Sequence, residues 1–240
     1  MIPLRRPQPT PRLTRLCDNG TRRIKEQGAT SKVAEKQWSR ARTAKEEIRS
    51  LLGPMAPGIR RCMYCLDNLG TDIDHFEPKA RTPLRTFDWA NHFLACSFCN
   101  SNAKRDEYPR DPDTGECLLV DPTVDDPADH LKLLPASGKY KAITAKGCHS
   151  IRVFTLNRED LRLGRMRMVV LCKRLLPVWH GMVLDGDHEG ARETATAIRE
   201  QPFGDVLRAL QSRARTSAMA ELTYGPVLGA ALTAWGQAAF

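Results

Sequence analysis

Two sets of chemically capable residues are interleaved between Cys62 and Lys104. Four cysteines stand as two CxxC pairs, Cys62-Met-Tyr-Cys65 and Cys96-Ser-Phe-Cys99. Between and beside them stand Asp74-His75, Asn91 and Asn100, with Lys104 four residues after the last asparagine. Such a stretch has the residue types both to hold a structural metal and to cleave a phosphodiester.

The cysteines suit zinc. Paired CxxC spacing in a reducing compartment points to metal binding rather than to disulfides. Four thiolates suit tetrahedral Zn²⁺ and leave no open position for water, so Cys62, Cys65, Cys96 and Cys99 are expected to form a structural site. The other four, Cys17, Cys117, Cys148 and Cys172, lack ligand spacing and read as small buried hydrophobes.

The order CxxC, Asp-His, Asn, then CxxCN with a later Lys resembles the HNH endonuclease family, whose core is a ββα-metal (His-Me) finger. Asn91 lies 16 residues beyond His75, and Asn100 lies 9 beyond Asn91, and both separations suit that family. The resemblance implies that His75 deprotonates the attacking water, a role suited to an imidazole whose ordinary pKa is near 6.5. It implies that Asp74 and Asn100 ligate a catalytic divalent metal and that Asn91 holds the loop that aims His75. An all-oxygen pair favours Mg²⁺ or Mn²⁺. Lys104, one helical turn past Asn100, would face a phosphate, and Lys79 would join it in binding nucleic acid. His92, His130, His149, His180 and His188 have no such company and read as structural or exposed.

Outer segments narrow the resemblance. Asp74-His-Phe-Glu-Pro-Lys79, Asn91-His-Phe-Leu-Ala-Cys96, Leu119-Val-Asp-Pro122, His130-Leu131 and Phe154-Thr-Leu-Asn157 are similar to the PtuB-type HNH nucleases of Septu anti-phage systems and related retron cassettes. That implies an effector nuclease working beside a separate ABC-like ATPase. The chain itself has no Walker motif. DNA is the expected substrate. An RNase, including a tRNA cutter, and a zinc-stapled nucleic-acid-binding module that does not cleave are the alternatives.

The elements that must position these residues are expected as an α+β fold, a ββα core in mainly helical flanks. Residues 1–55 read as a basic extended arm and helix, 56–112 as the nuclease core, and 113–240 as short strands followed by helices. Four prolines in residues 1–16 suggest extended chain, and a helix capped by Ser31 should run to Leu52, ended by Gly53-Pro54. Thr71–Phe76 reads as a strand ending in His75, Thr82–Trp89 as a loop or second strand, and Asn91–Lys104 as a turn entering a helix. Leu118–Pro122, His130–Leu134 and Lys139–Ile143 could be strands, with Gly138 turning the chain. Asn157 should cap a helix over Arg158–Leu175 that Pro177 stops, and Glu189–Glu200, Gly204–Leu222 and Pro226–Ala239 should be further helices.

The formal net charge is +9, and residues 1–61 alone hold 15 Lys and Arg against 5 Asp and Glu. A basic segment of this kind suits a polyanion, so Arg22, Arg23 and Lys25 are expected to contact nucleic acid. No apolar run reaches bilayer length and the start lacks a secretory apolar stretch, which together suggest a cytoplasmic protein with no membrane partner.

Overall fold

The computed structural model describes residues 1–214 and 216–238. It divides into two compact units, Met1–Leu131 with Ala142–Leu156, and Lys132–Lys141 with the chain from Asn157 onward.

The first unit opens with helices. Residues 1–16 are not all extended, because α1 begins at Pro11 and runs to Glu26. Proline at the first helical position costs nothing there, and Thr10 caps the start by accepting from the Leu13 N–H at 3.0 Å. The segment before α1 is docked rather than free. Leu4 N–H donates to the Pro122 carbonyl at 2.7 Å, and the Arg6 guanidinium donates to the carbonyls of Trp89 and His92 while lying 4.7 Å over the Phe93 ring.

The helix expected over Ser31–Leu52 is two helices, α2 (Ser31–Arg40) and α3 (Arg42–Met55), and its cap is Thr30 rather than Ser31. The break at Ala41 resets the phase of the buried stripe: Ala34 and Trp38 face inward before it, and Ala44, Ile48 and Leu52 after it. Pro54 sits inside the last turn of α3 rather than ending the helix before it.

At the centre are two antiparallel strands, β1 (Asp72–His75) and β2 (His92–Ala95), with His75 opposite His92 and Asp74 opposite Phe93. The second strand is therefore not Thr82–Trp89, which holds one 3-10 turn (Pro83–Arg85), a buried Phe87 and the start of a second turn (Trp89–Asn91). It falls instead on His92-Phe-Leu-Ala95, whose four residues are all buried and show no alternation that would mark a strand. Seven residues of π-helix, Phe98–Lys104, follow. The strand–turn–helix order of a small α+β core is thus present, with mainly helical surroundings.

Leu118–Pro122 is not a strand. It is held by side chains, notably the Ser150 hydroxyl accepting from the Val120 N–H at 2.8 Å. A short α4 (Pro127–His130) and α5 (Ala145–Val153) complete the first unit, while β3 (Leu131–Leu134) and β4 (Lys139–Ala142), which pair with each other, belong to the second except for their end residues Leu131 and Ala142.

In the second unit Gly138 makes the turn into β4 at φ +64°, and a Cβ there would meet the Arg162 carbonyl oxygen at 2.1 Å. Asn157 does not cap the next helix. Its amide pairs with both backbone groups of Tyr140, and α6 (Glu159–Leu184) starts after Arg158. Nor does Pro177 stop α6. The helix runs past it, because Leu176 and Trp179 on either side are buried, and their packing outweighs the loss of one backbone bond. Buried Arg165 meets Asp205 and lies over the Tyr140 ring, while the Tyr140 hydroxyl also donates to Asp205. α7 (His188–Glu200) matches expectation. Gly204–Leu222 divides into α8 (Gly204–Gln211) and α9 (Ser217–Tyr224), and α10 spans Pro226–Gln237. The expected end of that helix at Ala239 lies outside the described residues. No described helix is long and apolar enough to cross a membrane.

Candidate metal centre and cleft

The two CxxC pairs converge. Cys62 sits in a knuckle where its N–H donates to the Asn68 carbonyl and its carbonyl accepts from Leu66, which turns with φ +64°. Cys96 directly follows the second strand, and its sulfur accepts from the Cys99 N–H at 3.5 Å. The Met63 N–H donates to the Leu94 carbonyl at 2.9 Å and locks the knuckle onto β2. The four sulfurs lie within 4.8 Å of one another, all buried, and Cys65 and Cys96 are 3.9 Å apart. Zn–S bonds of about 2.3 Å at tetrahedral angles place sulfurs roughly 3.8 Å apart, whereas a disulfide needs about 2.05 Å. The donor set and its spacing therefore fit a structural Zn²⁺. Hydrogen bonds from the neighbouring thiols lower Cys65, and those in the cluster bring Cys96 to about 7, while burial raises Cys62 well above an ordinary thiol. Thiols this crowded cannot all ionise without a cation among them. Of the remaining cysteines, Cys17 and Cys172 are buried as expected, but Cys148 is exposed.

Beside this clamp a cleft of about 610 Å³ is lined by Asp74, His75 and Asn100, with Trp38 as one wall. His75 ends β1 and is 5% exposed. Its Nε2 lies 3.0 Å from the Thr86 carbonyl oxygen, and so does the Nε2 of His92. A carbonyl offers only lone pairs, so both rings must donate there, and each neutral ring keeps a bare Nδ1. The His92 Nδ1 is buried without a partner, which is compatible with a bare nitrogen and leaves that acceptor unused. Trp38 meets His75 edge-on at 4.5 Å and stacks on His92 at 5.3 Å. Burial, then the neighbouring His92 and Lys79, holds His75 well below the ordinary histidine range, and burial takes His92 down to about 4.

Asn91 acts on the backbone. Its Oδ1 accepts from the Glu77 N–H at 2.7 Å, and its Nδ2 donates to the carbonyls of Glu77 and Arg85. Arg85 precedes the residue whose carbonyl orients both imidazoles, so Asn91 fixes the loop under His75. Glu77 braces the same loop by accepting from Thr82, Arg85 and Arg110. Burial pushes its carboxyl up, but these donors outweigh burial and hold it below the usual range.

Asp74 is more engaged than its expected role required. One oxygen accepts from the Tyr64 hydroxyl at 2.6 Å and the other from the Lys104 ammonium at 3.1 Å. Burial and then Asp74 raise the Tyr64 hydroxyl well above its ordinary value, so it stays a donor. Lys104 does not point at a phosphate. It is fully buried and also donates to the His75 carbonyl at 2.7 Å, because the carboxylate draws the ammonium inward. Asn100 donates to Asp72 at 3.1 Å, which leaves its oxygen available. Asp74 and Asn100 carry oxygen atoms of the kind a hard divalent ion prefers, and the carboxylate keeps a spare lone pair on each oxygen.

Lys79 borders the cleft and pairs with Glu35 at 3.1 Å. Arg22, Arg23 and Lys25 lie on the exposed face of α1 and are not among the cleft residues. Sequence reasoning missed Trp38, Tyr64, Thr86 and His92. Trp38 carried only the signal of an apolar helical stripe, and Thr86 acts through its backbone, which no residue type announces.

No family model matches the chain, and no solved structure matches it. It is similar to two curated relatives. The Septu protein PtuB of Bacillus mycoides (strain KBAB4) is 26% identical over 152 residues, covering 51% of this chain and 51% of that protein. The Septu protein PtuB of Bacillus thuringiensis is 29% identical over 120 residues, covering 48% of this chain and 43% of that protein. The chain spans about half the length of the curated relatives it matches.

Proposed function

We propose that this chain is a metal-dependent HNH endonuclease that hydrolyses phosphodiester bonds in DNA, and that it serves as the nuclease of an anti-phage system beside an ABC-like ATPase. The observation that carries the reading is the imidazole of His75 in one cleft with Asp74 and Asn100, its Nε2 bound to the Thr86 carbonyl, which makes Nδ1 the lone-pair nitrogen. The defence role and the ATPase partner rest on the similarity to Septu proteins.

In this reading His75 takes a proton from water at Nδ1 as the oxygen attacks phosphorus. Its Nε2–H, held on the Thr86 carbonyl, keeps the ring aimed, and that carbonyl stabilises the imidazolium that forms. Asn91 keeps the loop from shifting under the ring. Asp74 and Asn100 would hold Mg²⁺ or Mn²⁺, which supplies positive charge to the phosphate and the leaving oxygen. The cysteine clamp takes no part in the reaction and fixes the ends of the finger.

The test is nicking of a supercoiled plasmid by the zinc-loaded protein with Mg²⁺ or Mn²⁺ and a co-purified ATPase partner. The wild type should convert plasmid to open circle, and His75→Ala should lose at least about a hundredfold in rate. Equal activity in both proteins would remove His75 as the base, and no activity in either on DNA and RNA would favour a binding module without chemistry.

A further inference from the structure

We infer that Lys104 is an internal counter-cation of Asp74, so that the cleft takes up a divalent ion together with a nucleic-acid phosphate rather than ahead of it. This rests on the reading of Asp74 and Asn100 as the ligands.

Lys104 is fully buried, and its ammonium has two protein acceptors, Asp74 Oδ1 at 3.1 Å and the His75 carbonyl at 2.7 Å. Tyr64 holds the second carboxylate oxygen. Asp74 can still ligate, since each oxygen keeps a lone pair, but its charge is cancelled by a neighbour that has no route to solvent. Asn100 brings no charge. Around the cleft, Lys32, Lys79 and Arg105 balance Glu35, Asp106 and Asp72, the last of which accepts from the Asn100 amide. A hard dication gives up its water reluctantly, and the charge of its ligands sets its affinity. The free cleft offers it oxygen without net negative charge. A phosphodiester supplies the missing charge and further oxygen. Metal and nucleic acid are then coupled ligands, and linkage requires each to tighten the other by the same factor.

The test uses the full-length, zinc-loaded protein with His75→Ala to prevent cleavage. Mn²⁺ binding is followed by electron paramagnetic resonance with no nucleic acid, with a short DNA duplex, and with RNA of the same sequence. The expected result is a Mn²⁺ dissociation constant lowered about tenfold or more by nucleic acid. Adding Lys104→Gln, which keeps hydrogen-bond donors but removes the charge, should tighten Mn²⁺ about tenfold without nucleic acid and shrink the coupling by a similar factor. Unchanged Mn²⁺ affinity in Lys104→Gln would overturn the inference. If that variant fails to fold, the parent decides, because an absence of coupling with both DNA and RNA overturns it equally. Asp74→Asn separates the two readings. Loss of Mn²⁺ binding there keeps Asp74 as a ligand whatever Lys104 does, and unchanged binding sinks both.

Discussion

The imidazole of His75 gains its usefulness from what confines it. The Thr86 carbonyl accepts from its Nε2–H, Trp38 walls one edge, and burial favours the neutral ring. Its companion His92 makes the same bond and is held at about 4. Histidines in the unfolded chain titrate near 6.5. As pH falls below about 6.5, the unfolded state takes up protons that the folded state refuses, so stability is complete above that value and is lost toward about 4. Melting temperature should therefore drop as pH is lowered from about 7 to about 4.5. His92→Phe, which retains a ring on Trp38 but has no proton to gain, should show a shallower drop, and a slope equal to wild type would remove His92 from this account. For the same reason the acid limb of the nicking rate should lie below about 6.5, since His75 stays neutral there.

At the scale of elements, the finger is held by sulfur on one side and by helices on the other. Its two strands are only four residues each and bury little by themselves. Metal binding at such a clamp becomes folding energy on the order of 10 kcal/mol. Cys99→Ser should lose zinc, read by elemental analysis, and abolish the cooperative thermal transition of the first unit. A zinc-free variant that melts like wild type would exclude a structural role. The helical side has its own close fit. At Gly20 in α1 a Cβ would lie 2.5 Å from the Phe87 ring, which packs in turn on Trp38. Alanine is the better helix former by about 1 kcal/mol, but overpacking a buried ring costs about 1–3 kcal/mol. Because Phe87 is enclosed, overpacking should win, and Gly20→Ala should lower stability in urea denaturation rather than raise it.

Across the whole molecule the charge is lopsided, with the positive surplus in the first 61 residues. The exposed face of α1 carries Arg22, Arg23 and Lys25, and Arg22 shares its charge with Glu26 across a solvated gap of 3.9 Å. Exposed pairs of this kind are worth little, so the cations stay available to a polyanion. Nucleic-acid affinity should fall steeply with salt. Replacing these three residues together by Ala should flatten the log–log slope by up to roughly 0.9 for each phosphate they would have neutralised. A slope unchanged by the triple substitution would take α1 out of the interface.

Much of the site was legible because its parts are local. CxxC spacing declares sulfur ligands, and Asp74-His75, Asn91 and Asn100 stand at intervals that one strand, one loop and one helical turn can bring together. The same local logic placed α7 and the Gly138 turn. It failed where packing overrode local preference. Pro177 reads as a stop, yet buried Leu176 and Trp179 carry α6 through it. Asn157 reads as a cap, yet it is claimed by Tyr140. Lys104 reads as a cation that faces a phosphate, yet a carboxylate 30 residues earlier draws it inside. Residue types and spacings by themselves determined which atoms are available for metal and proton chemistry. Only the tertiary structure decided which of them are already bonded to one another, because burial makes each hydrogen bond and ion pair exclusive, and a chain read in order does not reveal which distant group will be the neighbour.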